Sequence, residues 1–182
     1  NHRNAKEVAL LAESFRPRDF VPADPPERNC SEPPHIMQFK SLGDVAHHVK
    51  LIANNFSNKS IGIFTRHTRD RDDFAKALSA SGYNNYQIYR SEDWKKSLDP
   101  CAKGVFLATN QVAKGLEFDI VVAASLESWD IAPSEADDGI FYVLLSRSKD
   151  VLKLVYTGEQ EPIFFTTDKY KEKLKSITRK SL

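Results

Sequence analysis

An α/β layered domain with a mostly parallel sheet is the fold this sequence predicts, on three observations. Short β-branched apolar runs recur at Ser60–Thr65, Gly104–Thr109, Asp119–Ser125 and Val151–Tyr156, each the length of a buried strand. Between several of them lie stretches with apolar residues at helical spacing, and strands alternating with helices favour parallel pairing. The 182 residues are 41% hydrophobic and 28% charged, an ordinary balance for one domain able to bury a core.

The elements follow in order. Asn4 with Glu7 has the capping-box arrangement, and Val8, Leu11, Ala12 and Phe15 continue it as a helix that Pro17 stops. Six of the nine prolines fall between Pro17 and Pro34. They remove backbone donors and fix φ, so residues 16–35 read as an extended connector wrapping the surface. His35–Lys40 suits a short strand. Ser41 with Asp44 is a second cap signature, ahead of a helix whose apolar face is Val45, Val49, Ile52 and Phe56. After the strand Ser60–Thr65, a helix over Asp72–Ser81 buries Phe74 and Leu78, and Gly82 sits where a left-handed C-cap belongs. Tyr86–Tyr89 and the runs at 104–109 and 119–125 are strands. Gly139–Ser148 reads as a helix, Val151–Tyr156 as the last strand, and Asp168–Ile177 as a basic closing helix.

Composition excludes several classes. With 26 basic and 25 acidic side chains the net charge is +1, so any nucleic-acid contact must come from a local patch rather than the bulk field. No apolar run approaches the roughly 20 residues that span a bilayer, so no membrane partner is expected. Cys30 and Cys101 match no metal-ligand spacing and suit a reducing, cytoplasmic compartment. His47 and His48 point to different helix faces, so no metal site is expected. Trp94 and Trp129 fit core packing better than base stacking. The chain opens at Asn1 with Met37 as its single methionine, and we expect a single domain over 1–182 belonging to a longer protein.

The most informative residues lie between the strands at 104–109 and 119–125. Thr109 ends one strand, and Lys114-Gly115-Leu116-Glu117-Phe118-Asp119 leads into the next. Ligands of open α/β sheets collect at the carboxyl ends of strands, which places this loop to touch one. Gly115 permits close backbone approach, and Glu117 can accept from ribose hydroxyls. By spacing alone, a solvated surface loop fits equally well. A second set is Tyr142-Val143-Leu144-Leu145-Ser146-Arg147-Ser148-Lys149, ahead of the strand through Leu152 and Leu154. A third, Asn1-His2-Arg3-Asn4, leads into the first helix.

These three segments, in this order, resemble motifs V, VI and IV of UvrD/Rep-type superfamily 1 DNA helicases: Thr109 to Asp119 resembles motif V, Tyr142 to Lys149 motif VI, and the N-terminal tetrapeptide motif IV. The resemblance implies a RecA-like (P-loop NTPase-type) three-layer domain, the C-terminal of two that clasp ATP with Mg²⁺. It assigns Arg147 and Arg3 to the γ-phosphate, where a guanidinium stabilises charge on the equatorial oxygens. Glu117 falls on the ribose, Gly115 and Lys114 on the same loop, and His2 where a stacking tyrosine is usual. Thr109 and Gln111 fall on single-stranded DNA, Gln111 replacing the common histidine. Arg66, at the end of the 60–65 strand, suits a phosphate contact or a solvated basic turn.

No Gly-x-x-x-x-Gly-Lys-Ser/Thr occurs, so no phosphate-cradling loop is present. In the family that loop belongs to the N-terminal RecA-like domain, the expected partner within the same protein. The stretch between Thr65 and Thr109 is too short for the large accessory insertion of the bigger members. The expectation is the C-terminal motor domain of an ATP-dependent DNA helicase, inactive as this chain alone, with Arg3 and Arg147 converging on one edge. Two rivals stand beside it: a non-catalytic binding domain on the same scaffold, and an RNA-directed or RNA-polymerase-associated relative.

Overall fold

A computed structural model describes residues 4–19, 21, 24, 26–90, 103–113, 115–129, 135–175 and 177–182. Its elements are α1 (Lys6–Ser14), β1 (His35–Phe39), α2 (Leu42–Asn55), β2 (Ser60–Thr65), α3 (Thr68–Ala80), β3 (Tyr86–Ile88), β4 (Gly104–Thr109), β5 (Phe118–Ala123), α4 (Glu135–Leu145), β6 (Ser148–Thr157), α5 (Ile163–Thr166), α6 (Asp168–Lys173) and β7 (Thr178–Ser181). Two single 3₁₀ turns follow β4 and β5, at Asn110–Ala113 and Leu126–Ser128.

Among the described residues seven strands form one sheet in the order β3-β4-β2-β5-β6-β1-β7, and all neighbouring pairs are parallel. Period-2 alternation sorts the side chains between two apolar layers. Ile61, Ile63, Val105, Leu107, Ile120 and Val122 join α2 and α3 on one face. Phe64, Phe106, Ala108, Val121, Ala123, Leu152 and Leu154 join α1, α4, α5 and α6 on the other. The product is three layers, helices on both sides of a buried sheet.

Local chemistry explains two of the boundaries. Ser41 caps α2 as expected, accepting from Asp44 N at 3.2 Å and donating to Asp44 Oδ2 at 2.6 Å. Gly82 takes φ +81°, and Tyr83 N closes on Leu78 O at 3.0 Å, the left-handed stop after α3.

Several expectations need correction. Asn4 does not cap α1; the N-cap is Ala5, and Glu7 instead accepts from Cys30 N at 2.8 Å. Phe56 leaves the apolar face of α2 and is 47% exposed. The helix read over 139–148 spans Glu135–Leu145, so Arg147 lies in the turn before β6. The closing segment is two short helices and an edge strand, where one helix was expected. Trp129 is buried against Phe141 and donates to Ala124 O, as a packing residue does. Trp94 and Cys101 lie outside the described residues.

The described part of the connector is tied to α1 and to β6. Lys6 N donates to Arg28 O at 2.7 Å, Ser31 bonds Asp150, and buried Lys153 holds both oxygens of Glu32 at 3.0 Å. Those bonds satisfy a lysine taken out of water on a sheet face, which would otherwise be costly.

Candidate functional site

The candidate residues divide between the two edges of the sheet. At the carboxyl edge, β2 ends at Thr65 opposite Thr109 of β4, and Arg66 follows directly. Arg66, His67, Thr68, Arg71, Asp72, Arg90, Thr109, Gln111 and Val112 line a groove of about 790 Å³. All three residues expected to meet a nucleic-acid strand, Arg66, Thr109 and Gln111, share it. Thr109 is buried and Gln111 exposed. Arg71 is already paired inside the groove, bonding Asp72 Oδ1 through Nε and Nη2 at 2.9 and 2.7 Å. Arg90 was missed in the sequence, although it follows β3 much as Arg66 follows β2, a basic residue just beyond a strand. Beside Thr109, the buried Asn110 has an Oδ1 without a hydrogen-bond partner among the described residues.

The residues expected to meet nucleotide lie at the opposite edge. Glu117 and Arg147 precede β5 and β6, and Phe118 pairs with Ser148 where those strands begin. This corrects the expectation that the whole loop sits at carboxyl ends. Because β4 and β5 are parallel and flank β2, the chain between them must cross from one edge to the other. The strand β2 that it passes is about 20 Å long. Val112 and Leu116 pack against the apolar layer on that face.

Arg147 is held by neutral acceptors. Its Nε donates to Val143 O at 2.9 Å, Nη1 to Leu116 O at 3.3 Å and Nη2 to Ser146 Oγ at 3.0 Å. Its own carbonyl accepts from Phe118 N at 2.9 Å. Burial pushes the guanidinium downward from its ordinary range, while the charge of nearby Glu117 opposes that. A half-buried, permanently charged group bonded to uncharged oxygens retains capacity to attract an anion. Gly115 has φ +86° and is exposed, the backbone freedom expected of it. Lys114 lies outside the described residues, as do His2 and Arg3.

Asn4, misread as a cap, belongs to this edge. Its side-chain amide donates to Ser146 O at 2.9 Å and Ser148 O at 2.6 Å, the carbonyls on either side of Arg147. No local pattern signals those bonds, which join residues 142 and 144 positions apart.

Two further features bound the chemistry. Among the described residues no three His, Cys, Asp or Glu side chains group as metal ligands. No helix among them is long and apolar enough to cross a membrane.

No family model and no curated protein sequence matches the chain. Solved structures do. The C-terminal domain of a possible DNA helicase from Lactobacillus plantarum superposes with TM-score 0.63 at 21% identity, over 90% of this chain and 91% of that one. A variant of Saccharomyces cerevisiae Dbp5 bound to RNA and ADP–BeF₃ gives 0.55 at 13% identity, over 86% of this chain and 46% of that one. The arterivirus nonstructural protein 10 helicase in complex with DNA gives 0.50 at 11% identity, over 96% of this chain and 37% of that one. The chain therefore has the three-layer α/β RecA-like fold, the fold of a helicase C-terminal domain.

Proposed function

We propose that the chain is the C-terminal motor domain of an ATP-dependent DNA helicase or translocase of the UvrD/Rep-like kind, paired with an N-terminal RecA-like domain in a longer protein. The observation that carries this reading is the single loop from Thr109 to Glu117. One end lies in a basic groove, and the other is bonded through Leu116 to Arg147. In this reading single-stranded DNA follows the groove past Arg66, Thr109 and Gln111. ATP with Mg²⁺ is held mainly by the partner domain and supplies the phosphoryl group whose hydrolysis drives movement. This chain would give it Arg147 and Arg3 at the γ-phosphate, and Glu117, Gly115, Lys114 and His2 on the nucleoside side. Loss of the anion that two arginines grip is a recognised way to let domains part.

The test is magnesium-dependent ATPase. The longer protein should turn over ATP in the presence of single-stranded DNA, whereas residues 1–182 alone should not. Turnover by the isolated chain would overturn the split-site reading. Competition between single-stranded DNA and RNA for the longer protein identifies the strand, and preference for RNA would replace DNA in the proposal.

A further inference from the structure

We propose that Asn4 is a positioning residue whose buried amide fixes the turn that carries Arg147. The turn leaving α4 has carbonyls with no partner inside the helix, and it is free to pivot unless something outside takes them up. Asn4 does so. Its two N–H groups match two acceptors, Ser146 O and Ser148 O. It is 2% exposed, so water does not compete. Ala5 N extends the seam to Lys149 O at 2.7 Å, and Arg28 donates to the same carbonyl.

The turn is thus gripped from two directions. Asn4 holds the peptides flanking Arg147, and Phe118 N holds the carbonyl of Arg147 itself. The guanidinium bonds Leu116 O only when its backbone is at the right height above the loop. Asn4 sets that height. Aspartate has the shape of asparagine but only acceptors when ionised, and cannot replace it.

The positioning role is independent of the motor reading, and its consequence for turnover rests on that reading. In the ¹⁵N-labelled chain, Arg147 Nε–H exchange should quicken about tenfold or more in Asn4→Ala and Asn4→Asp, with amide protection in β2 and β4 retained. Unchanged Arg147 exchange in a folded Asn4→Ala chain overturns the proposal. If Asn4→Ala fails to fold, Asn4→Asp decides. Acidification gives its carboxyl one donor, so Arg147 exchange should move toward the wild-type rate at the same pH. No such movement overturns the role. In the ATP-hydrolysing longer protein, Asn4→Ala should lower kcat with KM nearly unchanged, and add little to Arg147→Ala. Quickened exchange with unaltered kcat would leave the positioning intact and overturn the assignment of Arg147 to the phosphate.

Discussion

Gly62 of β2 lies beneath the ring of Phe118: a Cβ on the glycine would sit 2.6 Å from Phe118 Cδ2 and 2.8 Å from Phe64 Cε2. The missing side chain makes room for the residue at which the crossing loop becomes β5. Phe118 in turn packs edge-on against Phe64, with ring centroids 5.7 Å apart. Gly62→Ala should therefore overpack this point and cost about 1–3 kcal/mol. Denaturant unfolding would measure it. A variant as stable as wild type would mean that the ring has free space to move into.

Arg147 offers a sharper chemical test than size. Lysine keeps the charge but cannot reproduce three donors fanned toward Val143 O, Leu116 O and Ser146 Oγ. In the motor protein proposed above, Arg147→Ala and Arg147→Lys should both lower ATP turnover, alanine by about 10³-fold or more. Both should fold. Full activity in the lysine variant would show that point charge alone suffices.

The closing helices depend on a carboxylate of α4. Asp138 is buried, and its Oδ2 takes Lys169 Nζ at 2.7 Å and Lys173 Nζ at 2.8 Å. Burial raises its pKa, but the bonds from the two lysines outweigh that and leave it below the usual value. A carboxyl depressed in the folded state contributes stability above its unfolded pKa and loses it as pH falls through the folded one. The loss should begin below about pH 4. Asp138→Asn should cost about 1–3 kcal/mol near neutrality, less than a fully buried pair because Lys169 keeps 35% of its side chain exposed. It should also flatten the acid limb of a stability–pH curve. An unchanged acid limb would move that sensitivity to another carboxylate, such as Glu32.

Salt dependence can test the groove. Arg66 makes no ion pair among the described residues, so its charge is available to a phosphate. If the proposed longer protein carries single strand in this groove, Arg66→Ala should weaken that binding similarly for all sequences and reduce the slope of log K against log salt by about 0.7. A sequence-dependent loss with no change of slope would place Arg66 on a base instead.

Much of this architecture is legible in local pattern. β2, β4, β5 and the Val151–Tyr156 part of β6 are short and largely apolar, and Ser41 and Gly82 punctuate the chain by chemistry that acts over a few residues. What was missed is non-local. Thr178–Ser181 is exposed and polar, and becomes a strand only because β1 offers it a parallel edge. Asn4 has the spacing of a cap, but its amide hydrogens go to carbonyls far along the chain, and Ala5 takes the N-cap position. The edge on which Glu117 and Arg147 sit follows from parallel pairing of β4 and β5 about β2, which no loop sequence announces. Arg66, Thr109 and Gln111 were placed more readily, because strand ends are local features and the groove is built from them.

The 3₁₀ turn at Asn110–Ala113 gives the crossing segment a last consequence. A 3₁₀ helix rises about 2 Å per residue, so this turn covers part of the span stiffly, and Val112 and Leu116 anchor the segment to the sheet. The described residues on both sides of the crossing are thus seated on the sheet, one beside the groove and one beside Arg147, and do not hang clear of it.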